Sequence, residues 1–208
     1  MIRVEDVTHL YPDRTRALDG VNLEVEGGSS LGLVGPNGGG KSTLLWHLNG
    51  LLAATTGRVS IDGVDLAGRR VADIARAVGL AFQECDDQLF QTTVELEVRA
   101  GAESDEAAAE ALELVGLDDR KHEHPSNLGY SRRKLLAMAA VVAMGTAVVA
   151  LDEPTTGQDA AGRDRVVAVL RQLRTRGRTV IVAGHDRALI SSELGRSVTL
   201  RQGRIVPL

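Results

Sequence analysis

Nine consecutive residues, Gly35-Pro36-Asn37-Gly38-Gly39-Gly40-Lys41-Ser42-Thr43, put glycines, a lysine and two hydroxyls where they could hold a run of phosphates. They fit the phosphate-binding pattern Gly-x-x-x-x-Gly-Lys-Ser/Thr. Ahead of them Ser30-Leu31-Gly32-Leu33-Val34 reads as a short buried strand; behind them Leu44-Leu45-Trp46-His47-Leu48 reads as the first turns of a helix. A strand that ends in a glycine-rich turn and opens a helix aims several backbone N–H groups at one point, and the helix dipole adds partial positive charge there. Glycines let the backbone curl round an anion with no Cβ in the way. In this reading Gly35, Asn37, Gly38, Gly39, Gly40 and Thr43 form the cradle. Lys41 reaches the β- and γ-phosphates, and the Ser42 hydroxyl is a ligand for Mg²⁺. The alternative is a glycine-rich turn that binds nothing, and it leaves the strand, lysine and helix without a reason to stand together.

A second group of chemical residues is Asp152-Glu153, directly after the apolar run Ala147-Val148-Val149-Ala150-Leu151. Such a run is typical of a strand buried on both faces, and ligands bind at strand C-termini in α/β sheets. Asp152 would hold Mg²⁺, directly or through water. Glu153 would be the general base that orients a water for attack on the γ-phosphate. The competing reading, two solvated carboxylates at a strand end, is weakened by the Pro154-Thr155-Thr156-Gly157-Gln158-Asp159 that follows.

Both groups need an α/β scaffold, and the rest of the chain reads as one. Residues 2–7 alternate apolar and polar, as do 21–25, with Gly27-Gly28 ending the second run; this is an antiparallel β signal ahead of the phosphate loop. Residues 58–61 and 78–82 read as further strands. From 103 to 115 the chain is rich in Ala, Glu and Leu, with good helix propensity. Residues 122–131 look irregular, and 132–144 read as a second helix, so 84–145 is expected to be a helical insert. Val166, Val169, Leu170 and Leu173 form one helical stripe. Residues 179–183 read as the next buried strand, and 197–206 as a closing hairpin.

With 208 residues and 43% hydrophobic content the chain can bury one substantial core, built from Val, Leu, Ile and Ala because aromatics are 2%. A net charge of −4 argues against a dedicated nucleic-acid binder. Cys85 is the one cysteine, so no internal disulfide is possible. No run approaches a transmembrane span and the N-terminus does not resemble a signal peptide. The expected location is cytosolic, with any membrane role peripheral. His122 and His124 lack an evident third metal ligand and read as a solvated loop. Trp46 is expected in the core. Neighbouring acids are expected to raise the Cys85 pKa.

Leu151-Asp152-Glu153-Pro154-Thr155, taken with the phosphate loop, resembles the Walker B segment of ABC-type ATPases, and the resemblance covers almost the whole chain. It implies a P-loop NTPase α/β core with an N-terminal antiparallel β lobe and a short helical insert, a single domain over 1–208. ATP and Mg²⁺ are the implied ligands. Gln83, after a short strand, is similar to the Q-loop glutamine that touches Mg²⁺ and the attacking water. Asp159 falls at the D-loop aspartate, His185 resembles the switch histidine that contacts the γ-phosphate, and Tyr11 matches the aromatic that stacks on adenine. Phe82 to Phe90, with its Asp86-Asp87-Gln88-Leu89-Phe90, followed by Thr93-Val94-Glu95, is similar to the Q-loop region of energy-coupling-factor importer ATPases, the cobalt, nickel and vitamin uptake systems.

The resemblance implies a subunit on the cytoplasmic face of the membrane that drives separate integral membrane transport subunits and pairs with a second ATP-binding subunit. This chain departs from the family at its signature segment, Leu128-Gly129-Tyr130-Ser131-Arg132. Gly129 replaces a serine, Ser131 a glycine and Arg132 a glutamine, while Gln158 stands where leucine is more usual. The insert is also shorter than the family's. These departures point to a heterodimer. A soluble ABC ATPase acting on DNA or ribosomes, and a regulatory subunit with little hydrolysis of its own, are the rival readings.

Overall fold

The computed structural model describes residues 1–206. The chain begins with β1 (Ile2–Leu10) and β2 (Arg16–Val25), which pair antiparallel as their alternation predicts, burying Ile2, Val4 and Val7 against Val21, Leu23 and Val25. After β3 (Ser30–Val34) comes α1 (Lys41–Leu48), then β4 (Thr56–Ile61), which pairs with the other edge of β1, and the two-residue β5 (Val64–Asp65). The short α2 (Val71–Ala75) leads to β6 (Val78–Ala81). Between β6 and β7 (Val148–Asp152) the chain forms α3 (Val94–Arg99), α4 (Asp105–Val115) and α5 (Tyr130–Ala143). It closes with α6 (Ala160–Thr175), β8 (Thr179–Gly184), α7 (Arg187–Leu194), β9 (Ser197–Arg201) and β10 (Arg204–Val206).

The first sheet has order β2-β1-β4-β5; the second has order β10-β9-β3-β8-β7-β6 and is parallel except for the β9–β10 hairpin. Strand alternation divides the core. Val148, Ala150, Ile181 and Ala183 face α1 and the first sheet, whereas Val149, Leu151, Val180 and Val182 face α5, α6 and α7. Val94, Leu112 and Leu136 belong to that second cluster, so the helices between β6 and β7 share a core with the sheet and have none of their own.

Several details differ from the sequence expectation. The first helix starts at Lys41 and not at Leu44, so Lys41 and Ser42 are already helical. α5 starts at Tyr130, which places Tyr130 and Ser131 in a helix and not in the irregular stretch. The helices α2, α3 and α7 are additional, and Trp46 is only partly buried. At five to eight residues these helices are too short to show a full apolar period; α3 and α7 are marked instead by side-chain caps, Thr93 to the Leu96 N–H and Asp186 to the Leu189 N–H.

Candidate functional site

The phosphate loop lies between β3 and α1, pressed against two neighbouring backbones. A Cβ at Gly35 would stand 2.0 Å from the Leu200 carbonyl oxygen, and one at Gly40 would stand 2.5 Å from that of Ala17. Gly40, at φ 101°, is the N-cap of α1 and brings no side-chain bond to the helix end. The N–H groups of the first turn therefore face the loop's interior without a side-chain partner. Lys41 is buried, and its Nζ donates to the carbonyls of Gly35 at 3.0 Å and Pro36 at 3.2 Å.

β7 delivers Asp152 and Glu153 to the same place. Glu153 is buried, with φ 49°, a left-handed conformation that a glutamate adopts only when its surroundings impose it. Its Oε1 lies 3.6 Å from Lys41 Nζ. Its Oε2 accepts from Thr156 Oγ1 at 3.2 Å and lies 2.8 Å from His185 Nδ1. If Nδ1–H donates to this carboxylate, Nε2 is the ring nitrogen left for another partner. Asp152 is 2% exposed, and among the described residues its Oδ1 has no hydrogen-bond partner. Burial raises its carboxyl pKa, and a hydrogen bond with Ser42 works against that rise. An orphaned, buried carboxylate oxygen beside a hydroxyl and near Gln83 is an oxygen donor set that fits Mg²⁺.

A cavity of about 390 Å³ brings Tyr11, Asn37, Lys41, Ser42, Gln83 and Glu153 together, with Gly38, Gly39, Gly40 and Thr43 in its wall. Gly35 and His185 line an adjoining cavity of about 370 Å³. Tyr11 Oη lies 3.2 Å from Thr43 Oγ1, and its ring meets the edge of His9, which in turn meets His47. Asp159 is not in the cavity; it caps α6 through the Gly162 N–H. The sequence reading missed Thr156, which grips Glu153, and Lys134, which is 2% exposed within 3.3 Å of the Thr156 carbonyl. A basic residue amid the apolar run of α5 was the available signal for Lys134; nothing in the sequence marks Thr156.

The signature segment is placed at the start of α5. Gly129 is its N-cap with no side-chain bond, and no acidic residue stands in the first turn. Arg132 is exposed and forms no ion pair among the described residues. Cys85 is fully buried, and burial, more than Asp86, raises its pKa. His124 bonds Ser126, His122 approaches Glu95, and among the described residues no three metal-binding side chains cluster. No helix of those residues is long and apolar enough to cross a membrane.

The sequence profile of the ABC transporter family (ABC_tran) matches residues 18–156. The energy-coupling factor transporter ATP-binding protein EcfA of Methanothermobacter thermautotrophicus is 39% identical over 216 residues, which span 99% of this chain and 70% of that protein. Among solved structures, cbiO1 from Clostridium perfringens, part of the ABC transporter complex cbiONQ, superposes with a TM-score of 0.85 at 29% identity, covering 99% of this chain and 86% of that one. A dimeric ATP-binding cassette in a post-hydrolysis state with ADP and Pi superposes at 0.88 and 25% identity, covering 100% and 97%. The chain belongs to the ABC transporter family of ATP-binding, transport-coupled ATPases.

Proposed function

We propose that this chain is the ATP-hydrolysing subunit of an energy-coupling-factor importer for cobalt, nickel or a vitamin, acting at the cytoplasmic face of the membrane on separate transport subunits. One observation carries the reading: the buried Glu153 carboxylate is held by Lys41, Thr156 and His185 at the lip of the phosphate loop. Residues 84–145 are the helical insert of a single ATPase domain. Tyr11 supports the adenine, and residues 35–43 surround the phosphates. On ATP binding, Lys41 exchanges its loop carbonyls for phosphate oxygens. His185 offers a ring nitrogen to the γ-phosphate. Glu153 accepts a proton from the water it orients. Ser42, Asp152 and Gln83 would hold Mg²⁺, which when bound neutralises phosphate charge.

The pairing we propose is with a second, non-identical ATP-binding subunit. In that pair the phosphate loop of this chain faces an intact signature segment on its partner, while Leu128–Arg132 faces the partner's loop. Gly129 has no hydroxyl to donate there, so that second site is slow. A regulatory subunit with little hydrolysis is the other reading the 128–132 segment supports. Glu153→Gln in the assembled pair separates the two. A carboxamide of nearly equal size should lower turnover about 10²–10⁴-fold while ATP still binds. Unchanged turnover, with the partner's own base also replaced, would remove Glu153 from the reaction.

A further inference from the structure

The start of α5 and the loop after Glu153 are fastened together at three successive loop residues. Thr156 offers its carbonyl to Lys134 Nζ at 3.3 Å. Gly157 lies against Tyr130, where a Cβ would come 2.7 Å from the ring's Cε1. Gln158 exchanges two hydrogen bonds with Ser131: Ser131 Oγ donates to Gln158 Oε1 at 2.5 Å, and Gln158 Nε2 donates to the Ser131 carbonyl at 3.1 Å. Tyr130 and Lys134 stand at i and i+4 on one face of α5, with Ser131 at its edge. The far side of the Gln158 amide is fitted as well. A Cβ at Gly162, in the first turn of α6, would lie 2.1 Å from Gln158 Oε1, so glycine leaves the amide its place.

Ser131 and Gln158 are both departures from the family pattern. The residues they replace, glycine and leucine, offer neither hydroxyl nor amide, so neither replacement could form this pair alone. From the pair to the site the path is short. Thr156, held through its carbonyl by Lys134, holds Glu153 Oε2 through its hydroxyl. Glu153 itself sits in a left-handed conformation that the loop must maintain.

We infer that Ser131 and Gln158 form a clasp which, with Lys134 beside it, fixes the loop that positions the Glu153 carboxylate. The two are positioning residues, and their importance for hydrolysis rests on the role proposed above for Glu153. Ser131 also gives its hydroxyl to Gln158, so it can reach a nucleotide across an interface only by releasing the clasp.

The test uses the full chain carrying Ser131→Gly, Gln158→Leu, both together, or Ser131→Thr. Hydrogen exchange read by mass spectrometry needs neither a partner nor turnover. Each single loss should speed exchange across residues 153–159 by about tenfold. The double variant should match the singles, Ser131→Thr should restore protection, and residues 41–48 should be unaffected. In the assembled pair, kcat should fall about fivefold to tenfold with KM unchanged. Wild-type exchange in Gln158→Leu or additive effects of the two singles would overturn the clasp, and an unchanged kcat with a loosened loop would overturn its link to hydrolysis through Glu153. A wild-type chain whose Trp46 fluorescence does not respond to Mg-ATP would count against the functional reading instead, and the exchange data would still decide the clasp.

Discussion

Among the helices of six residues or more, α3, α4, α6 and α7 begin with a side-chain cap, from Thr93, Ser104, Asp159 and Asp186, whereas α1 and α5 begin at uncapped glycines. An uncapped end leaves N–H groups for an outside acceptor. The two glycines are nevertheless unlike. Gly40 has φ 101° and a Cβ there would strike the Ala17 carbonyl, so no other residue fits. Gly129 has φ −63°, and a Cβ there would meet nothing within 4 Å. The first end, the one we propose cradles phosphate, is shaped so that a side chain at its cap would be strained. The second is an end that has lost its hydroxyl although space for one remains. A missing cap alone does not identify an anion site; the steric surroundings of the cap position do.

The largest effect should come from Lys41→Ala. Losing at least one charge-assisted hydrogen bond to phosphate, at about 1.5–3 kcal/mol, should weaken Mg-ATP binding at least about tenfold by calorimetry. Equal affinities would break the α1 half of the comparison.

Next in size are the glycines themselves. Gly40→Ser should lower stability by about 1–3 kcal/mol in denaturant unfolding, through both the left-handed φ and the clash with Ala17. Asp152→Asn should raise it by about 1 kcal/mol at neutral pH without nucleotide. The folded pKa of Asp152 is raised by burial. The ionised carboxylate therefore opposes folding increasingly as pH rises from its unfolded value through the folded one, and the amide removes that opposition. The same variant should lose the extra stabilisation that Mg²⁺ adds to ATP. A variant that is less stable without nucleotide would contradict the orphaned-carboxylate account.

The smallest effect should sharpen the α5 half. Gly129→Ser should supply the missing cap and raise stability by a few tenths to about 1 kcal/mol. A loss of stability would show that the end is closed after all. Position 129 is the clean place to rebuild the signature segment, because Ser131→Gly also breaks the pair with Gln158.

What the sequence made legible follows from locality. The phosphate loop, Asp152-Glu153 and the strands around them are contiguous motifs, and the apolar residues 148–151 and 179–183 lie in fully buried strands because the central sheet is covered on both faces, with Ala147 exposed just ahead of the first. Tyr11, Gln83 and His185 came from the resemblance, and the fold brings them around the loop from three separate segments. What was not legible was pairing across sequence distance. Ser131 and Gln158 were each visible as departures, but nothing local says that one hydrogen-bonds the other across 27 residues. Lys134 inside an apolar helix has the same character, since its carbonyl partner lies 22 residues away.

The central proposal is that the phosphate-loop face of this chain is competent once a partner supplies an intact signature segment, whereas its own Leu128–Arg132 face makes a slow site, and ATP-driven pairing tests it most directly. The chain is purified alone and with the second ATP-binding subunit, and dimer formation and ATP turnover are measured together at saturating Mg-ATP. The account predicts a chain that binds ATP but neither dimerises nor turns over appreciably by itself, and that hydrolyses ATP once the partner is added. Robust ATP-driven homodimerisation with turnover by this chain alone would contradict it.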